Sequence, residues 1–458
     1  MDGLESMASR RNVLWANLPP DKGLRKNPRY TRLVKPIRSR SIDGLGKVRH
    51  ASCAYRTSTA LSLIAFLTVA LLMACAVVPA SVWAADSDAG ATQEVEENIQ
   101  GCVDAIRSSR GIASDQSLLA SDAMSPGDST SDWIAYDFAR VQCDTGTATY
   151  LDRLQKSVTD RYVNTDILLD RFMSTEWNRT TIVVVGLKGD PTACGTDAAG
   201  APVNLVADGC YNWVRDNDIA AQGTNGLVYA IEALDASGVI APADARYTED
   251  SLIGSLLDAQ SPDGGFGLYR NASDVDVTAM AICALAPHAN DGEVGAAIDR
   301  ALDYLSSQQG DDGAFLSGGV ANSESCSQVV MALSALQLNP KTDARFVKNG
   351  QSVYDALMSF KRDDGSFSHA SDDDLSRVEL LATEQATRAL ISMDELARGG
   401  DGNVYTADVS LSLGSKSTGA SSAENDSPLP WLLGGIGIGA AIVAVMLIAS
   451  RKRRRHEA

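Results

Sequence analysis

Positive charge is scarce through most of this chain. Of its 40 lysines and arginines, 13 fall in residues 1–57 and five in residues 451–458, leaving 22 against 53 acids between them. A body that acidic argues against nucleic acid or anionic lipid as its ligand, since both are held by cations. Histidine is scarcer still. There are four in 458 residues, and only His288 and His369 fall in the central part, both in loops. A catalytic zinc site needs three protein ligands, so no metal and no other cofactor is expected. Aromatic residues are only 6% of the chain, a thin supply for lining a deep apolar cavity.

What the chain has is a repeat. Gln260 precedes Asp263-Gly264-Gly265-Phe266, Gln309 precedes Asp312-Gly313-Ala314-Phe315, and Lys361 precedes Asp364-Gly365-Ser366-Phe367. The Asp-Gly pairs are 49 and 52 residues apart, and an apolar helical pattern follows each: 277–285, 328–336 and 383–390. A period near fifty, with a helix on each side of a tight turn, marks units that bury their apolar faces on one another. The pattern reaches upstream. Ser131-Asp132-Trp133 and Thr175-Glu176-Trp177 share a cap-acid-aromatic opening 44 residues apart. Positions 132, 176, 225, 276, 325 and 384 then mark the N-terminal ends of six inner helices. Each follows an outer helix, the weakest being that around 203–213. The first outer helix is expected over Gln93 to Arg110 with Thr92 as its N-cap. Six hairpins predict an all-α fold, an (α/α)6 toroid over residues 86–400.

The Q-x-x-D-G-x-F turns followed by Asp276-Val277-Thr278-Ala279 resemble the repeats of prenyltransferases and squalene cyclases. They are similar to bacterial cell-surface proteins with the same repeats, and more distantly to the helical domain of the vitamin B12 carriers. Thr175-Glu176-Trp177-Asn178-Arg179-Thr180, Gly186-Leu187-Lys188-Gly189-Asp190-Pro191, Gln222-Gly223-Thr224-Asn225-Gly226-Leu227 and Ala382-Thr383-Glu384-Gln385 read like the surface group, so the resemblance spans about residues 93–399. It is specific for fold and poorly specific for activity, because one scaffold hosts many functions.

The ends read as targeting segments. Residues 1–57 are a basic extension, with translation starting downstream as one hypothesis and Val48 one candidate. Residues 58–85 read as a signal peptide cleaved after Ala84 or Ala85. Residues 401–429 form a Ser/Gly-rich linker, within which Val404 to Leu413 alternates weakly as a short strand. Residues 430–450 read as a transmembrane helix, and the basic tail 451–458 fixes its cytoplasmic end. The layout resembles Gram-positive surface proteins, but L-P-x-T-G is missing; the nearest match is Leu429-Pro430-Trp431-Leu432. A retained single-pass anchor with an extracellular ectodomain is therefore expected. Six cysteines lie in the exported part. An even number suggests disulfides, with Cys102–Cys143 and Cys194–Cys210 the pairs nearest in sequence, while Cys283 and Cys326 on apolar faces read as free thiols.

Three chemistries follow from the resemblance. Squalene–hopene-type cyclases carry D-x-D-D-T-A. Here Asp274-Val275-Asp276-Val277 keeps the middle acid, Asp276, and loses the third, while helix capping accounts for both acids. A prenyltransferase-type zinc site would use Glu324-x-Cys326 and a later histidine, but 378–399 has none. A complement-type thioester needs a glutamine that Gly209-Cys210-Tyr211-Asn212-Trp213 lacks. Asp372-Asp373-Asp374 and Asp216-x-Asp218 read as solvated loops.

The remaining reading is binding. The inner-helix N-termini would gather Asp132, Trp133, Glu176, Trp177, Arg179, Asn225, Asp274, Asp276, Glu324, Glu384 and Gln385 at one mouth. Acids and amides beside aromatics suit a small polar molecule, a glycan or a protein partner. Most of the acids are equally explained as helix caps, and Trp133 and Trp177 as packing at a repeat junction. The expectation is a membrane-anchored cell-surface protein binding a ligand or partner at its central cavity. The alternative is a divergent terpenoid-cyclase-like or prenyltransferase-like enzyme using Asp276 as acid.

Overall fold

The computed structural model describes residues 80–163, 173–213, 218–269, 272–371 and 379–406, with side chains from residue 92 onward. The expected basic extension, most of the signal segment, the linker beyond residue 406, the transmembrane helix and the basic tail lie outside these, as do Asp216 and Asp372-Asp373-Asp374. No helix among the described residues is long and apolar enough to cross a membrane.

The described residues are mostly helical. In chain order the helices are α1 (Ala80–Ser109), α2 (Ser129–Arg140), α3 (Thr147–Val163), α4 (Ser174–Gly186), α5 (Thr224–Ser237), α6 (Glu249–Ala259), α7 (Val275–Leu285), α8 (Gly292–Gln308), α9 (Ser323–Ala335), α10 (Val353–Met358) and α11 (Leu380–Ala397). Strand β1 (Leu316–Ser317) pairs antiparallel with β2 (Val320–Ala321), and β3 (Val347–Lys348) with β4 (Gln351–Ser352). The inner helices α2, α4, α5, α7, α9 and α11 pack each on the next, and α11 packs back on α2. Helices α6, α8 and α10 lie against the inner helix before them, and α1 lies along α11. The weak outer element around 203–213 is a single π-helical turn, Ala207–Tyr211, against α4.

The Asp-Gly-x-Phe turns explain the period. Gly264, Gly313 and Gly365 have φ of +91°, +81° and +84°, which side chains resist, so glycine is required. Each also sits close to the next outer element: a Cβ on Gly365 would lie 2.6 Å from the Gly101 carbonyl of α1. The third turn thus packs against the first outer helix. Gln260 Nε2 donates to the carbonyls of Gly264 and Ala297, and Gln309 Nε2 to those of Gly313 and Phe346. Phe266, Phe315 and Phe367 are fully buried. The Phe266 and Phe367 N–H groups donate to the hydroxyls of Thr278 and Thr383. In the middle repeat Cys326 occupies that position, and its sulfur takes the Phe315 N–H. The threonine of the repeat therefore ties each turn to its inner helix, and Cys326 is its stand-in rather than a metal ligand.

Two local expectations change. Helix α1 begins at Ala80, not after Thr92. Five of residues 80–91 are alanine, the best helix former, so nothing stops the helix there. Residues Val404 to Thr406 form a turn rather than a strand. Tyr405 is buried edge-on against Trp133, 6.0 Å between centroids, and Asn403 Nδ2 donates to the Cys283 carbonyl. Arg140 donates to the Thr406 carbonyl and Tyr136 to that of Val404. The chain thus re-enters between the C-terminal halves of the inner helices.

A candidate site at the inner-helix N-termini

The predicted site residues divide into two groups. The first lies on α2, α4 and α11, and its charges are paired. Asp132, fully buried, accepts from Tyr150 and the Gly127 N–H at 2.8 and 2.9 Å through Oδ1, and Oδ2 lies 3.4 Å from Arg179. Burial pushes its carboxyl up to about 6, with the nearby Arg179 guanidinium pulling the other way. Arg179 also pairs with Glu176 at 3.0 Å, and Arg161 meets Glu176 at 3.3 Å. Deeper, Arg388 is held between Asp137, at 3.0 Å, and Glu384. Its guanidinium lies 4.2 Å from the Trp133 ring centroid. Burial raises Glu384 to about 8, and Asp137 adds to the rise. Asp137 has the two-pronged contact with the guanidinium, at 3.0 and 3.2 Å, and Glu384 a single one.

The second group lies on α5, α7 and α9. Asp274 caps α7, accepting from the Val277 N–H at 3.1 Å. Asp276, one turn position on, has a buried Oδ1 without a hydrogen-bond partner. Burial pushes it up to about 6, with Asp274 and Glu324 adding to the rise and Ser325 and His369 opposing it. Glu324 Oε2 lies 2.9 Å from His369 Nδ1. Gln328 Nε2 donates to Gln385 Oε1 at 3.2 Å, joining α9 to α11. Asn225 Oδ1 and Gln328 Oε1 are, like Asp276 Oδ1, buried and without a hydrogen-bond partner, as are both side-chain polar atoms of Asn178 and the Thr181 hydroxyl on α4.

The structure revises several sequence readings. Trp133 packs edge-on against Tyr136 at 5.5 Å and carries Arg388 on its face, so the ring is taken. Trp177 is fully buried, edge-on to Tyr162 and Trp213. Both are packing residues. All six described cysteines are free thiols. Cys102 faces Thr387 on α11, whereas Cys143 points at the Phe138 carbonyl, 3.8 Å away. Cys210 donates to the Ala230 carbonyl of α5 at 3.5 Å. Cys102 and Cys210 thus look toward other helices, and Cys143 back at its own. Glu384 is also misplaced by the sequence: matching Thr278 to Thr383 puts Leu381 where Asp276 stands, and Glu384 one residue past the threonine, inside. Ser325, Gln328 and His369 were missed. Ser325 could have been found by its place directly before the threonine-equivalent Cys326.

No family model matches the chain, and no curated protein does. Among solved structures it is similar to ent-copalyl diphosphate synthase from Streptomyces platensis, with a TM-score of 0.41 and 19% identity over 59% of this chain and 50% of that one. It is also similar to a protein from Actinoplanes, with a TM-score of 0.41 and 15% identity over 66% of this chain and 99% of that one. This chain spans half the length of the synthase it matches. At that overlap neither likeness carries an argument about activity.

Proposed function

We propose that the six-helix cycle is an α/α toroid of terpenoid-cyclase-like build whose N-terminal rim binds a polar ligand, carried on a membrane-anchored cell-surface protein. One observation carries the reading. Three side-chain oxygens on three neighbouring inner helices, Asn225 Oδ1, Asp276 Oδ1 and Gln328 Oε1, are buried without hydrogen-bond partners. An unmet buried polar group costs about 1–3 kcal/mol, so each of them calls for a ligand or ordered water. All three are acceptors, and Glu324 and Asp274 stand beside Asp276. The ligand that suits them is one rich in hydroxyl or ammonium donors, such as a glycan. With both tryptophans committed to packing, stacking contributes little. Export by residues 58–85 and anchoring by residues 430–450 remain the sequence's expectation for how this rim is presented.

A second reading keeps Asp276 as a general acid. Its raised protonation range and its unpartnered oxygen favour it, since a carboxyl that holds its proton can donate it. Its polar surroundings favour binding over alkene protonation, which needs an apolar cavity.

The test is a thermal-shift panel on the whole chain in detergent, with glycans, corrinoids, squalene-type isoprenoids and prenyl diphosphates. A ligand at a hundred times its Kd adds about 2.7 kcal/mol to the folded state. A glycan shift lost in Gln328→Leu supports rim binding. A shift with an isoprenoid alone, lost in Asp276→Asn, moves the reading to the enzyme. No shift with any of them defeats both small-molecule readings and leaves a protein partner.

A further inference from the structure

At the opposite end of the inner helices, away from the rim, three elements bring together a second set of side chains. Asp235 closes α5, Glu249 opens α6, and His288 sits in the one-turn 3-10 helix Ala286–His288 that follows α7. One ligand atom from each lies within 4.8 Å of the other two. His288 Nε2 is 3.2 Å from Asp235 Oδ2. Two donors bound tetrahedrally at about 2.1 Å from a zinc ion stand about 3.4 Å apart, so this pair already has ligand spacing. Glu249 completes the triangle from the edge of a groove. Asp235 and Glu249 both line an open groove of about 380 Å³, whose wall includes the almost fully exposed Ile240. A metal held here would keep coordination positions open to that groove.

We propose that Asp235, Glu249 and His288 form a binding site for a divalent transition-metal ion, zinc in the first instance. One imidazole nitrogen with two carboxylate oxygens is a borderline donor set that suits zinc better than calcium, which takes six to eight oxygens. The three ligands come from three different elements of two successive hairpins. The metal would therefore clip the C-terminal end of α5 to the entrance of α6 and the exit of α7. The proximity of the two carboxylates fits the same picture. The competing account is that protonated His288 bridges the two acids by itself.

The test uses the full chain in detergent, stripped with EDTA, and zinc chloride as probe. Calorimetry should show a zinc equivalent that disappears in His288→Asn and weakens at least about tenfold in Glu249→Gln, the smaller loss typical even of outer-shell changes. Glu249 lies at the edge of the groove, so that variant keeps its fold and the result stays readable. The thermal midpoint of the wild-type chain should rise with zinc, and that of His288→Asn should not. Zinc binding that both variants retain, or no zinc retained at all, overturns the proposal and leaves the histidine bridge.

Discussion

The two sides of the inner-helix cycle solve the same problem in opposite ways. On α2 and α11 every buried charge has an ion-pair partner, although one oxygen each of Asp132, Asp394 and Glu395 makes no hydrogen bond. Arg388 lies between Asp137 and Glu384, and Arg140 meets Glu395 at 2.6 Å. On α5, α7 and α9 the oxygens Asn225 Oδ1, Asp276 Oδ1 and Gln328 Oε1 have neither an ion-pair nor a hydrogen-bond partner. A buried group kept for the fold is normally satisfied, because leaving it unmet is costly. The paired side is thus structural and the unpaired side is where a ligand would be accommodated, although the sequence gives both the same acid-rich signature.

The comparison breaks hardest at Arg388. Replacing it with leucine strands Asp137 and Glu384 in the interior and removes the cation from the Trp133 face. Loss of one partner of a buried ion pair costs about 3–5 kcal/mol, so urea denaturation of Arg388→Leu should show a loss of that size. A loss below about 1 kcal/mol would mean that the carboxylates are hydrated and the paired side is not a closed interior.

The next effect is electrostatic. Glu384 is raised from 4.5 to about 8, so the folded state holds a proton that the unfolded chain releases. A raised carboxyl makes stability fall as pH rises from about 4.5 to about 8. Glu384→Gln removes that titration. The variant and the wild type should match near pH 4.5 and separate above pH 8, where the variant should be the more stable. Thermal midpoints across that range read it directly. Parallel curves would show that Glu384 is ionised throughout and that Arg388 serves both acids fully.

Much of the fold was legible because its signals are periodic. The Asp-Gly turns, the helices that follow them and the six N-terminal ends all come from spacing, and the observed inner helices begin within four residues of the expected positions. The direction in which side chains point was less legible. Asp276 and Glu384 both open a helix after a turn, yet one faces the rim and the other the interior, because the third repeat enters α11 earlier, at Leu380. Trp133 and Trp177 look identical in sequence, but what decides their role is Arg388 and Gly209, which lie far along the chain. The Asp235, Glu249 and His288 cluster was invisible for the same reason. Its members are 14 and 39 residues apart and meet only when two hairpins stack.

The smallest effect on stability should come from the unpaired side, and that is what makes it informative. Asp276 is raised from 3.8 to about 6 by burial and by neighbouring acids, so its ionised form is disfavoured in the folded chain. Stability is lost as pH rises between those two values. Asp276→Asn avoids that loss. At pH 4 the variant should match the wild type, and at pH 7 it should be the more stable by on the order of 1 kcal/mol, allowing for partial exposure. Ser325→Ala, which removes the hydroxyl beside Asp276, should be within about 0.5 kcal/mol of the wild type. A residue whose loss leaves the fold as stable or more so is not there to hold the fold. If Asp276→Asn instead costs stability at pH 7, its carboxylate has a partner, and the two sides of the cycle are alike.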